Sequence, residues 1–90
     1  MGRVADRLRD RLQQSFTPER LDITDDSARH AGHAGAHPEG ESHFSITIVS
    51  PIFAGMNRVE RQRRVYAVLA EELAGPVHAL SLKALAPGEP

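Results

Sequence analysis

Histidine is the residue type in this 90-residue chain best suited to chemistry, and there are five of them. Imidazole is the commonest protein ligand for zinc, copper, nickel and iron. His30, His33 and His37 lie three and four residues apart, whereas His43 and His78 stand apart from them. No cysteine or carboxylate accompanies them at a diagnostic spacing. The pattern is therefore compatible with a metal site, or with a solvated loop and one packed histidine.

Arginines form a second candidate site. Four of them fall at the beginning of a predicted helix, where the helix dipole disfavours cations by roughly 0.3–1 kcal/mol each. Helical projection places Arg61 and Arg64 opposite the apolar face and Arg63 at its edge. The cluster indicates either a solvated face, partly compensated by Glu60, or a surface for an acidic partner, protein or nucleic acid. We predict that Arg61, Arg63 and Arg64 bind a partner.

Composition excludes several function classes. Without cysteine the chain has no thiol nucleophile and no disulfide, which favours a reducing, cytoplasmic compartment. No nucleophile elbow or phosphate-binding glycine loop is present, so we predict that the protein is not an enzyme. No apolar run approaches the roughly 20 residues that span a bilayer, and no membrane partner is expected. The net charge of −1 predicts no strong long-range attraction to nucleic acid.

Two elements precede the histidine-rich segment. Apolar residues at helical spacing predict a first helix, which the Thr17-Pro18 step ends. Leu21 and Ile23 alternate with polar residues in a short strand. From about residue 25 to 41 the chain has no periodicity and contains three of the five histidines. This connection is long for so small a domain, and long loops are often functional. The first helical stripe consists of Val4, Ala5, Leu8, Leu12 and Phe16.

Three further elements follow that segment. Alternation predicts a strand over residues 42–49 and a turn over 51–55. Asn57 and Glu60 form the pattern of a capping box at the beginning of a second helix. Gly75-Pro76 ends it, with glycine suited to a left-handed cap. A last strand is expected over 77–85, opened by His78. The predicted apolar face of the second helix consists of Val59, Tyr66, Leu69, Ala70 and Leu73, with Gln62 projecting into it.

The order helix, strand, loop, strand, helix, strand fits two helices on one face of a three-stranded sheet. Several motifs over residues 4–86 resemble the BolA family in order and spacing. They are Asp26-Ser27, Gly40-Glu41-Ser42-His43-Phe44, Phe53-Ala54-Gly55, Arg61-Gln62-Arg63-Arg64-Val65-Tyr66, Leu69-Ala70-Glu71-Glu72-Leu73 and Val77-His78-Ala79-Leu80.

The resemblance implies an α/β (α+β) domain of order α-β-β-α-β over residues 1–86, similar to class II KH folds. The Pro/Gly-rich composition of residues 87–90 indicates a flexible tail. The domain lacks the KH glycine loop that clamps nucleic acid. BolA-like proteins are adaptors that share a [2Fe–2S] cluster with a monothiol glutaredoxin and its glutathione. The resemblance implies a monomer alone and a heterodimer with the partner.

The family motif assigns one metal ligand to His78. Counting from Asp26-Ser27 assigns the second to His30, and the extended loop leaves His33 open. Many relatives have histidine where this chain has Gln62, so no role of that residue carries over. The alternative function implied by the family is transcriptional regulation, with the arginine-rich second helix facing DNA.

Overall fold

The fold is built on a three-stranded sheet. The computed structural model describes residues 3–25, 43–75 and 77–89. The sheet order is β1-β2-β3, with β1 antiparallel to β2 and β2 parallel to β3. The strands are β1 (Arg20–Asp25), β2 (His43–Val49) and β3 (Ala79–Leu85), and the helices are α1 (Arg3–Phe16), α2 (Arg58–Val68) and α3 (Ala70–Ala74).

One face of the sheet carries the core. Alternate residues of β2 are buried, and the side chains of α1 at four-residue spacing cover them. The rings of Phe16 and Phe53 lie 5.0 Å apart between their centroids. The predicted fold class, with helices on one face of a three-stranded sheet, is confirmed. The main buried apolar residues are Val4, Leu8, Leu12, Phe16, Phe44, Ile46, Ile48, Phe53, Val65 and Leu69.

The connection from β2 to α2 follows the sequence prediction. Ser50 is fully buried, and its hydroxyl donates to the Phe16 carbonyl at 2.6 Å and accepts from the Ile52 N–H at 3.2 Å. It thereby caps a short 3-10 helix over Pro51–Phe53. The capping box at the beginning of α2 is present, because Asn57 accepts from Glu60 and returns its own N–H to the Glu60 carboxylate.

The apolar face predicted for the second helix is partly wrong. Val59 and Tyr66 are 54% and 38% exposed, whereas Val65 and Leu69 are fully buried. The chain also leaves helical geometry at Leu69 (φ −97°, ψ 15°), which separates α2 from α3. The buried residues Val65, Leu69 and Glu72 lie four and three positions apart, so one buried face continues through both helices and is rotated away from the predicted face.

The end of α3 also differs from the prediction. Gly75 has φ −113°, which is not the left-handed conformation expected for it. The Glu72 carbonyl accepts instead from the N–H groups of Gly75, at 3.3 Å, and of Val77, at 2.9 Å. These bonds hold the segment before β3 against α3, and the strand begins at Ala79, two residues later than predicted. No helix within residues 3–25, 43–75 and 77–89 is long and apolar enough to cross a membrane.

Thr17, at the end of α1, adopts a left-handed backbone conformation that is unfavourable for threonine. Its φ is 40°, and its N–H donates to the Gln13 carbonyl at 3.0 Å. The left-handed region costs an L-residue roughly 1–2 kcal/mol, and glycine avoids that cost at an entropic loss of about 0.5–1 kcal/mol. We expect Thr17→Gly to raise the free energy of unfolding by about 0.5–1 kcal/mol in urea denaturation. Ser15→Gly, inside the last turn of α1, should lower it; equal losses in both variants would contradict this.

Candidate metal-ligand and partner-binding sites

His78 lies at the end of the sheet, immediately before β3. The preceding residue, Val77, is buried, and its N–H donates to the Glu72 carbonyl at 2.9 Å. The following residue, Ala79, is the first of β3 and pairs with His43 of β2. The backbone of His78 is thus held on both sides while its side chain is exposed. This exposure rules out a histidine packed into the core.

The other two predicted ligands, His30 and His33, lie outside the described residues, as does His37. The residues that bound this segment are described. Asp25 pairs with Phe44 in the β1–β2 register, and His43 pairs with Ala79 in the β2–β3 register. Asp25 and His43, the described residues on either side of positions 26–42, therefore lie at the end of the sheet that carries His78.

His43 is a second exposed imidazole at this end of the sheet. Its spacing from the other histidines predicted no role for it, and its position opposite Ala79 follows from the strand register. Within the described ranges no group of three or more histidine, cysteine, aspartate or glutamate side chains could hold a metal ion. A site here would therefore need ligands from residues 26–42 or from a second protein.

The three predicted partner-binding arginines do not form one exposed set. Arg63 and Arg64 are exposed on α2, as expected. Arg61 is not: its side chain is 12% exposed, and its guanidinium donates to the carbonyls of Met56, at 2.9 Å, and Ala84, at 3.1 Å. The beginning of α2 lies beside the end of β3, so the side chain at position 61 reaches toward the strand. The solvated position predicted for Arg61 is wrong.

Glu89 completes the contacts of Arg61. Its two carboxylate oxygens face Nη1 and Nη2, with Nη2 at 2.9 Å from Oε2. Oε1 also accepts from the Ala86 N–H at 3.0 Å. The Pro/Gly-rich composition of residues 87–90 indicated a flexible tail and gave no sign of these contacts. Glu89 and its attachment to α2 are the feature of this region that sequence reasoning missed.

These contacts predict an unusual titration for Glu89. The hydrogen bonds from Arg61, and then from Ala86, lower the pKa of Glu89 from 4.5 to about 2. A lowered pKa means that the contact contributes to folding stability above about pH 4.5 and that this contribution is lost as the pH falls toward 2. We expect the Glu89 carboxyl carbon to titrate near pH 2 by NMR, and nearer its ordinary value in Arg61→Gln. Titration near 4.5 in the unchanged protein would contradict the contact.

Comparison with known proteins identifies the family. Residues 12–89 match the family model described as BolA-like protein. The chain is 40% identical over 89 residues to BolA-like protein 1 of Pongo abelii, covering 99% of this chain and 62% of that protein. It is 47% identical over 87 residues to protein BOLA1, chloroplastic, of Arabidopsis thaliana, covering 94% and 54%. The chain thus spans less than two thirds of the length of these two relatives.

Two further matches bear on function and fold. The DNA-binding transcriptional regulator BolA of Escherichia coli (strain K12) is 40% identical over 79 residues, with 88% of this chain and 71% of that protein covered. The solved BolA domain of SufE1 from Arabidopsis thaliana superposes with a TM-score of 0.85 at 39% identity, over 100% of this chain and 99% of that one. The chain belongs to the BolA-like protein family.

Proposed function

We propose that this protein is an adaptor that binds a [2Fe–2S] cluster jointly with a monothiol glutaredoxin, as the family resemblance implies. His78 supplies one ligand and His30 or His33 the second. The observation that carries the proposal is the position of His78, an exposed imidazole on a backbone fixed at both sides. The segment that contains the other candidate ligands is attached to the same end of the sheet.

The donor chemistry of the chain fits this role. A chain without cysteine can offer imidazole nitrogen but no thiolate. The glutaredoxin and its glutathione would supply two thiolates to one iron, and two histidines would complete the other. This is the ligand division of Rieske centres, in which histidine raises the reduction potential. A ligand shared between two proteins must be accessible and carried on a fixed support. His78 is exposed, and the backbones of the residues on both sides of it are hydrogen-bonded.

The fold comparison supports a role as a module that acts with another protein. The BolA domain of SufE1 shares this fold over the whole chain. SufE-like protein 1 of Arabidopsis thaliana matches this chain over only 25% of its own length, so a domain of this kind exists there within a longer protein. We infer that in the present protein the domain acts together with a separate partner protein instead of with a further domain of a longer chain.

The test is reconstitution of the mixed complex. The protein and a monothiol glutaredoxin are combined with glutathione, iron and sulfide without oxygen, and visible absorption and circular dichroism are recorded. We expect a one-to-one complex whose spectrum differs from that of the glutaredoxin alone, since histidine replaces thiolate on one iron. A spectrum identical to that of glutaredoxin alone, or no complex by size-exclusion chromatography, would overturn the proposal.

A second candidate function is DNA binding by α2. Arg63 and Arg64 are exposed on this helix, and the Escherichia coli relative carries the name of a DNA-binding regulator. The net charge of −1 provides little long-range attraction, so binding would depend on this local cluster. Two results would favour this function over the first. The affinity for duplex DNA should fall when the two arginines are replaced, and it should rise as the salt concentration is lowered.

The exposed arginines of α2 provide a prediction about the rate of association with the glutaredoxin. Rim charges alter association rates more than folding stability. We expect Arg63→Glu/Arg64→Glu to change the melting temperature little and to slow association with the glutaredoxin by about 3–10-fold at low salt. The variant Arg7→Glu/Arg9→Glu makes the same charge change on the exposed side of α1 and should have less effect. Equal slowing in both variants would indicate net charge alone.

A further inference from the structure

A groove of about 590 Å³ separates the beginning of α2 from the end of β3. Met56 and Leu82 contribute apolar surface to it, and three cationic side chains line it together with one carboxylate. The cations are Arg58, Arg61 and Lys83, and the carboxylate is that of Glu89. The groove lies away from the end of the sheet that carries His78, because β3 runs from Ala79 to Leu85 between them.

The outer edge of β3 faces this groove. In the part of the chain that the structure describes, β3 pairs only with β2. The Leu85 carbonyl points toward β2, where it accepts from the Ser50 N–H at 2.9 Å. The Ala84 carbonyl points the other way, to Arg61. Because main-chain groups of a strand alternate in direction, Leu82 also directs its N–H and carbonyl toward the groove.

Glu89 acts as an internal ligand at the end of this edge. It faces two guanidinium nitrogens of Arg61 and accepts the Ala86 N–H. The guanidinium is already oriented by the carbonyls of Met56 and Ala84, so its fork is preorganised for a carboxylate. Since Glu89 is the one carboxylate among the lining residues, Arg58 and Lys83 remain available to further negative charge.

We propose that this groove binds an extended acidic peptide segment of a partner protein. The peptide backbone pairs with the outward N–H and carbonyl of Leu82, and one of its carboxylates replaces Glu89 on Arg61, which keeps its bond to the Ala84 carbonyl. Addition of a strand to an exposed edge supplies main-chain hydrogen bonds, and the adjacent side chains supply selectivity. The cationic lining selects acidic residues, and Met56 and Leu82 favour an apolar residue beside them. The proposal is independent of the histidines and of any cluster.

The experiment is an NMR titration of the uniformly labelled protein at low ionic strength with the peptide acetyl-Val-Glu-Val-Glu-Val-amide. We expect amide shifts at Leu82, Ala84 and Ala86, and none with the matched peptide that has glutamine for glutamate. Glu89→Gln weakens the internal competitor, so the glutamate peptide should bind about 3–10-fold more tightly to that variant. Asp10→Asn, an equal charge change on the exposed side of α1, should leave the affinity unchanged.

Three outcomes would overturn the proposal. Equal binding of the two peptides would show that the groove does not recognise carboxylates. Inorganic phosphate that shifts the same amides as strongly as the peptide would indicate a simple anion site. Concentration-dependent shifts at β3 without peptide would indicate a second copy of the chain as the occupant. Because the two peptides are compared on the unchanged protein, the result does not depend on the folding of any variant.

Discussion

Replacing Arg11 by alanine will lower the free energy of unfolding by about 2–4 kcal/mol. Glu72 is 2% exposed, and Arg11 Nε lies 2.9 Å from its Oε1 and 3.1 Å from its Oε2. Removing one partner of a buried pair leaves an uncompensated charge, which costs about 3–5 kcal/mol. The Arg11 side chain is itself 38% exposed, and solvent screening reduces the effect somewhat.

Urea denaturation at neutral pH measures this effect, and two controls locate its origin. Arg11 also contacts Glu71, whose side chain is 79% exposed, so Glu71→Gln should change stability by less than about 1 kcal/mol. The double variant Arg11→Met/Glu72→Leu removes both charges and should recover most of the loss, since apolar pairs often replace buried ion pairs without cost. Arg9→Ala, exposed on the same helix, should be nearly neutral; a loss equal to that of Arg11→Ala would contradict the argument.

This ion pair also supports the position of His78. The main chain of Glu72 accepts from Val77, and its side chain is fixed by Arg11 of α1. α1 is thereby connected to the segment directly before His78 through one residue. Loss of the Arg11–Glu72 pair would weaken the contact between α1 and α3. It would also loosen the segment that holds the backbone of His78.

Local patterns sufficed where local physics decides the structure. The stripe of α1 and the alternation of β2 were both predictable, because one face of each element is buried over its whole length. The capping box of Asn57 and Glu60 was predictable because both of its bonds lie within four residues. The placement of His78 at the end of the sheet followed from the strand predicted over 77–85, although β3 begins one residue after it.

Contacts between distant parts of the chain were not predictable from such patterns. Glu72 lies 61 positions from Arg11, and Arg61 lies 28 positions from Glu89, so no periodicity or spacing connects either pair. A buried carboxylate on α3 and a guanidinium covered by α2 and β3 both contradict the general exposure of charged residues. The exposure of Val59 was likewise not predictable, since the packing of α2 buries the face that carries Val65 and leaves Val59 in solvent.

His78→Ala is the variant with the largest expected effect on function. Because the side chain is exposed and precedes the strand, its truncation should change the free energy of unfolding by no more than about 0.5 kcal/mol. If His78 is a ligand, the mixed complex with glutaredoxin should lose its cluster or show a changed spectrum. Loss of a ligand should weaken cluster retention at least about tenfold, the lower range seen when even supporting residues of metal sites are removed.

His43→Ala is the matched control for that variant. It removes an exposed imidazole at the same end of the sheet, opposite Ala79, and should leave the spectrum of the mixed complex unchanged. His30→Ala and His33→Ala should each have a milder effect than His78→Ala, because neighbouring histidines of residues 26–42 can substitute for one another. His43 pairs with Ala79 and not with His78, so it does not occupy the position of the proposed ligand. An unaltered cluster spectrum in His78→Ala would reject the assignment of His78 as a ligand. Equal loss of the cluster in His78→Ala and His43→Ala would indicate a general effect of changes at this end of the sheet.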